Sequence, residues 1–252
     1  MNIFTSLAGP KVDKNKLSFD ILKYSVSRIA LVIMEKDKGG TGSTGSAMTL
    51  IELLLWLSVR VHLVDCADTQ LDLATPYEEI EGVTVHNVPM GDRGAEGGSV
   101  LRALTAAQPG EVIIVQYPGS SIDRIDGLHQ LLVHAQARLE LPVDVCSIWT
   151  MDSDRNSRDL LKLTLDTALP GTMHVNWPVW NGEPDIAPEL AEEIAAQGGT
   201  VFSLPALDPK VYRAFKADRL APRQLYLDGD FAQRMELDFW CASVAAAVGA
   251  RW

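Results

Sequence analysis

The segment from Ser27 to Ser58 constrains the chain more than any other. It joins an apolar, β-branched run, Ile29 to Met34, to a glycine-rich loop and then to an apolar stretch of helical length, Ala47 to Leu57. The first run reads as a buried strand and the last as a buried helix. Between them, Gly40, Gly42 and Gly45 fall within six residues. Glycine lets backbone N–H groups turn inward, and a helix N-terminus adds partial positive charge. Strand, glycine loop and helix N-terminus together make an anion site, and a phosphate fits it.

Three readings of the loop stand side by side. Gly40-Thr41-Gly42-Ser43-Thr44-Gly45 matches the dinucleotide fingerprint G-x-G-x-x-G, with Asp65 ending the next strand about 20 residues on. That fingerprint turns directly off its strand, whereas Glu35 to Gly39 intervene here. The Walker A template G-x-x-x-x-G-K-[ST] can be laid over Asp37 to Thr44. It finds its second glycine at Gly42 and its hydroxyl at Thr44, with Asp37 in place of the first glycine and Ser43 in place of the lysine. The third reading is a glycine turn feeding a helix with no ligand. A serine on such a turn also invites comparison with G-x-S-x-G hydrolases, but the first glycine of that motif is absent from Thr41 to Gly45.

The run Lys38-Gly39-Gly40-Thr41-Gly42-Ser43-Thr44 resembles the deviant Walker A motif of the ParA/MinD family, K-G-G-x-G-K-[ST], in which an extra lysine opens the loop. Further segments carry the resemblance. Val61 to Asp65 reads as a second strand, and Asp65-Cys66-Ala67-Asp68-Thr69-Gln70 resembles the family's D-x-D-P-Q, one residue wider and without the proline. Glu111 to Gln116 is a third apolar strand in the Walker B position, where Gln116 replaces the expected carboxylate. Thr172 to Trp177 is a later strand containing Asn176, and Pro205-Ala206-Leu207-Asp208-Pro209-Lys210-Val211-Tyr212 resembles the family's I-P-x-D-x-x-V turn, whose backbone flanks the base. Within the family, the nearest likeness is to plasmid-encoded ParA-like proteins of the conjugation and stability type, TraL among them.

The resemblance implies an α/β, three-layer P-loop NTPase-like fold with a mostly parallel sheet flanked by helices. It implies ATP and Mg2+ as ligands, with Gly39, Gly40, Thr41, Gly42, Ser43, Thr44 and Gly45 around the phosphates. Lys38 would reach a partner's phosphates across a homodimer, and Thr44 and Asp65 would serve the metal. Asp65 and Asp68 are the catalytic carboxylates, Asn176 reads the adenine edge, and Pro205 flanks the base. A basic C-terminal patch of Lys210, Arg213, Lys216, Arg219 and Arg223 would bind DNA without sequence preference. The partner expected besides DNA is a protein of a partition or conjugation system. Ser43 and Gln116 each remove a charge from the usual machinery, so weak or absent hydrolysis is expected. The bland alternatives are a strand-end carboxylate for Asp65, a turn-former for Asn176 and a solvated helix face for the basic residues.

Alternation of strands and helices from Ile29 to Leu204 without a long linker predicts one domain over 27–252. Residues 1–26, with Lys11, Lys14, Lys16 and Lys23, read as a solvated arm containing a short helix from Leu17 to Tyr24. At 252 residues and 47% hydrophobic, such a domain buries a sizeable core. Net charge is −11, so any DNA contact requires a local basic patch. No apolar run reaches the ~18 residues that cross a bilayer, and no membrane association is expected. Cys66, Cys146 and Cys241 are far apart and odd in number, which fits a reducing cytoplasm. The chief alternative function is an NAD-dependent oxidoreductase using Asp65 on the ribose, but no Tyr-x-x-x-Lys pair supports it. A nucleotide-free interaction protein is the other.

Overall fold

The computed structural model describes residues 9–36, 42–67, 73–88, 95–118, 122–139, 143–166, 171–227 and 229–252. Seven strands form one sheet: β1 Ile29–Glu35, β2 Val61–Asp65, β3 Val83–Asn87, β4 Val112–Gln116, β5 Val143–Thr150, β6 Thr172–Asn176 and β7 Val201–Phe202. Their spatial order is β3-β2-β4-β1-β5-β6-β7, and every pairing is parallel. β1, the central strand, is buried at all seven positions. A strand covered on both faces needs a continuous apolar run, which is why its sequence lacks polar alternation.

The helices are α1 Ser43–Trp56, α2 Ala95–Ala106, α3 Ile122–Leu139, α4 Arg155–Leu165, α5 Pro188–Ala196, α6 Pro209–Asp218, α7 Pro222–Leu227 and α8 Phe231–Ala247. On one side of the sheet, Ala30, Val32 and Met34 of β1 share a core with α1 and with Leu237, Trp240 and Val244 of α8. On the other, Ile29, Leu31 and Ile33 pack with Val100 and Leu104 of α2 and Ile125 and Leu128 of α3. A third cluster lies beneath β5 and β6, where Trp149 and Trp177 meet Leu161 of α4 and Leu190 of α5. The three-layer α/β architecture expected from the sequence is present. α1 is buried on nearly every side between the sheet and α8, consistent with apolar residues all round it.

Residues 17–24 are not a solvated helix. Leu17, Phe19, Ile21, Leu22 and Tyr24 are buried in the same core as α1 and α8. Ser18 pairs antiparallel with Arg251, and the Asp20 N–H donates to Val248 O at 3.1 Å. The period-two pattern Leu17-Ser18-Phe19-Asp20-Ile21 was the signal for extended backbone. Within α2, the Ser99 hydroxyl donates to Asn87 O at 3.1 Å and ties the helix to the end of β3. α6 starts at Pro209 because the Asp208 carboxylate accepts from the N–H groups of Lys210 and Val211. An Asp-Pro pair at N-cap and N1 is a strong start signal. α4 is capped by Asp154, whose side chain accepts from the Asn156 N–H.

Candidate functional site

The glycine loop leaves the C-terminal end of β1, and α1 carries the chain back along the sheet. β1 lies between β4 and β5, so the loop sits where the strand order changes direction, the usual ligand position in open parallel sheets. Lys38, Gly39, Gly40 and Thr41 fall outside the described residues, as does Asp68. From Gly42 onward the geometry is defined. Gly42 is the N-cap of α1 at φ 94°, ψ 9°, a left-handed conformation in which a side chain is strained. The first intrahelical bond runs from the Ser46 N–H to Gly42 O at 2.8 Å. The N–H groups of Ser43, Thr44 and Gly45 therefore have no acceptor within the helix, and no side chain caps it. Three donors outside the helix's own ladder, with the helix dipole, make the anion site anticipated from the sequence.

Beside it, the two residues that depart from the P-loop pattern meet. The Ser43 hydroxyl donates to Gln116 Oε1 at 3.2 Å, and Gln116 Nε2 donates back to Ser43 Oγ at 3.0 Å. Gln116 Nε2 also donates to Tyr117 O at 2.8 Å. Both side chains are buried. Burial raises the Tyr117 phenol far above its ordinary range, so it stays neutral. The lysine and aspartate that would bring opposite charges to a phosphate-bound metal are thus replaced by a neutral pair that satisfies itself.

Asp65 ends β2 in register with Gln116. Its Oδ1 accepts from the Ala67 N–H at 3.2 Å, and Oδ2 accepts from those of Leu73 and Ala74, both at 3.1 Å. The carboxylate organises the turn after β2, the strand-end role weighed for it from sequence. Thr44 is half-buried at the start of α1. The metal expectation therefore meets one hydroxyl, one neutral amide and one carboxylate bonded to its own turn. Among the described residues, no group of three or more His, Cys, Asp and Glu side chains is placed to hold a metal ion. This donor set does not fit magnesium.

A cavity of about 340 Å³ opens between the start of α1 and the segment after β7. Gly42, Gly45, Met48 and Thr49 form one wall. Residues one helical turn apart share a face, so Gly45, Met48 and Thr49 look the same way. Ala206, Leu207, Pro209 and Tyr212 form the facing wall. A Cβ on Gly45 would lie 3.3 Å from Tyr212 Cε2, so the missing side chain is what admits the ring. Pro205, the residue singled out from sequence, is beside this wall but not in it, and its carbonyl accepts from Trp240 Nε1 at 3.3 Å. Asn176 is fully buried and also outside the lining. Its Nδ2 donates to Ser46 Oγ at 2.7 Å and its Oδ1 accepts from the Leu204 N–H at 3.2 Å. Asn176 thus locks α1 to the segment that carries the far wall. Leu207 and Tyr212 lie in the turn that the family resemblance set beside the base, whereas Met48 and Thr49 were not anticipated, although their spacing from Gly45 pointed to them.

The basic residues do not form one face. Lys210, Arg213 and Lys216 lie on α6, and Arg219 follows as its left-handed C-cap at φ 54°. Arg219 also donates to Thr75 Oγ1 at 3.4 Å. Arg223 belongs to α7 and turns inward, its Nε donating to Glu52 Oε2 at 3.0 Å. Glu52 is fully buried on α1, and its Oε1 accepts from the Tyr77 hydroxyl at 2.9 Å. Burial, reinforced by Glu52, holds the Tyr77 phenol well above its usual range, so it remains a donor. Arg223 is a structural ion-pair partner and leaves the proposed nucleic-acid surface.

No family model matches this sequence, and no curated protein matches it either. Solved structures do. A ParA family ATPase from Chlorobium tepidum TLS superposes with TM-score 0.51 at 14% identity, covering 86% of this chain and 98% of that one. The cell division protein FtsY of Thermotoga maritima gives TM-score 0.51 at 15% identity over 79% of this chain and 67% of that one. The signal recognition particle receptor FtsY of Elizabethkingia anophelis gives 0.51 at 13% identity, and the match spans 85% of this chain but 65% of the receptor's length. These likenesses establish the P-loop NTPase-like fold. They also agree with the strand order, since β4 separates β1 from β2. In the dinucleotide fold those two strands are neighbours, so here Asp65 stands roughly 10 Å from β1 instead of one strand spacing away. Among the described residues, no helix is long and apolar enough to cross a membrane.

Proposed function

We propose that this chain is a ParA-like adenine-nucleotide-binding protein with little or no hydrolysis. The observation that carries the reading is the cavity of about 340 Å³ between the α1 N-terminus and the Leu207–Tyr212 segment. Phosphates would lie on the N–H groups of Ser43, Thr44 and Gly45, and the base would enter the cavity against the Tyr212 ring. The volume falls within the common range for small-ligand pockets. The Chlorobium tepidum ATPase, matched over nearly its whole length, supports the ParA-like assignment over a receptor-like one. The Ser43–Gln116 pair supports impaired turnover, because neither residue can bring charge to a transferring phosphoryl group. Lys38 would contact the phosphates of a second copy, giving a nucleotide-dependent dimer in plasmid or DNA partition or transfer, alongside a protein partner of that system.

Thermal denaturation with ATP, ADP and NAD tests the ligand class. At a hundredfold excess over Kd a bound ligand adds about 2.7 kcal/mol, or about 5–10 °C for a domain of this size. ATP or ADP should produce that rise and NAD should not. A rise with NAD alone would restore the oxidoreductase, and no rise with any of them would leave a nucleotide-free interaction protein. Phosphate release should stay at background and increase when Ser43→Lys and Gln116→Asp are combined. A wild-type rate matching an active ParA protein under the same conditions would show that other residues do this work.

DNA is the second proposed partner, now through Lys210, Arg213, Lys216 and Arg219 only. Binding should weaken steeply with salt, because each neutralised phosphate releases condensed counterions. Replacing Arg213, Lys216 and Arg219 with alanine should flatten the log–log salt slope by about 2 to 3 and leave nucleotide binding unchanged. Absence of DNA binding by the wild-type, nucleotide-loaded dimer at low salt would remove DNA as a partner.

A further inference from the structure

We infer that this site holds its nucleotide without a magnesium ion, an inference that rests on the nucleotide reading above. In P-loop proteins the ion sits between phosphate oxygens, a loop hydroxyl and water molecules held by a strand-end carboxylate. Thr44 supplies the hydroxyl. The carboxylate has no equivalent among the described residues. Gln116 stands in its place, with its amide hydrogens directed to Ser43 Oγ and Tyr117 O and its carbonyl already accepting from Ser43. What remains is one lone pair on a neutral oxygen. Bonds to a charged acceptor are roughly twice as strong as those to a neutral one, and losing an outer-shell partner typically costs 10–100-fold in metal affinity.

Among the described residues, the other buried carboxylates at this end of the sheet do not make good the loss. Asp65 accepts three backbone N–H groups, and swinging it toward a metal would leave buried donors at Leu73 and Ala74 without acceptors. Glu96, near the start of α2, is paired with Arg124. Glu35 ends β1 but projects to the opposite face. Side chains alternate along a strand, and in β1 the odd positions Leu31 and Ile33 face α2 and α3. Glu35 continues that series, and its Oε1 lies 3.1 Å from His129 Nε2 of α3. Ser43 and Gln116 lie on the α1 side of the sheet, with the sheet itself between them and Glu35.

Among the described residues, a bound metal would find the Thr44 hydroxyl and no strand-end carboxylate in the place of Gln116. The backbone donors of α1 are the same for a diphosphate and a triphosphate. Magnesium should therefore tighten neither ADP nor ATP.

Isothermal titration of the full chain with ADP and with ATP, in EDTA and in excess magnesium, tests this directly. The expected result, for each nucleotide, is a Kd that agrees within about threefold between EDTA and magnesium. A wild-type Kd at least about tenfold tighter in magnesium overturns the inference while leaving nucleotide binding in place. No binding in any of the four overturns the nucleotide reading and this inference with it. Gln116→Asp, checked for folding by circular dichroism, should acquire a magnesium dependence of about 10–100-fold. If the wild type is magnesium-independent and a folded Gln116→Asp variant is as well, Gln116 is not the cause and the assignment falls.

Discussion

Gly42→Val should eliminate the nucleotide-induced thermal shift of about 5–10 °C while leaving a folded domain. Gly42 holds φ 94° at the N-cap of α1, and a β-branched residue there is strained by about 1–3 kcal/mol. That strain is local and small beside a core in which β1 is buried at every position. The ligand effect is larger for a geometric reason. The anion site consists of the N–H groups just beyond Gly42, and a valine side chain stands where a phosphate must approach them. Gly42 also lines the cavity, so the same side chain enters the space assigned to the base. The measurement pairs melting curves with and without ADP, and circular dichroism verifies that the variant folds. An undiminished shift in a folded Gly42→Val protein would mean that nucleotide binds elsewhere, and the phosphate-loop reading would go.

The strands were the most legible part of the chain. β2 runs over Val61–Asp65 as its apolar run implies, because burial on both faces leaves a near-continuous apolar signature. Helix starts were less legible where tertiary structure does the capping. α1 begins at Ser43 behind a glycine with no side-chain cap, in a polar Ser-Thr-Gly-Ser run that has no helical periodicity. The glycine loop pointed to a phosphate and the Pro205 to Tyr212 turn to the base, but neither showed that the two meet around one cavity. That cavity exists because Tyr212 closes on Gly45, two residues far apart in sequence that no local pattern connects.

The site's departures were visible singly and not as a pair. Ser43 and Gln116 each read as a missing charge, yet their 73-residue separation hid the fact that each supplies the other's hydrogen bonds. A lone Ser43→Lys change would bury an ammonium against an amide, which is why the two reversions belong together. Asn176 illustrates the converse. Its position at the end of β6 suggested ligand contact, whereas its amide joins Ser46 to Leu204 and so ties together the two walls of the cavity.

Arg223→Ala should destabilise the protein by about 3–5 kcal/mol, far more than removal of a surface arginine. By sequence Arg223 looks like one more cation in a basic run, but its partner Glu52 lies 171 residues away on α1 and is fully buried. With Arg223 gone, Glu52 keeps only the Tyr77 hydroxyl, and one hydrogen bond does not compensate a buried carboxylate. The expected fall in Tm is about 6–20 °C at 2–4 °C per kcal/mol. A triple change, Glu52→Leu with Tyr77→Phe and Arg223→Leu, removes the charges and both donors together and should recover most of that loss, since a well-packed apolar replacement of a buried ion pair is often neutral. Equal destabilisation by the single and triple changes would show that packing of the arginine stem, not the orphaned carboxylate, carries the effect. A loss under about 1 kcal/mol for Arg223→Ala would place the residue back on the surface, where it would again be available to a nucleic-acid partner.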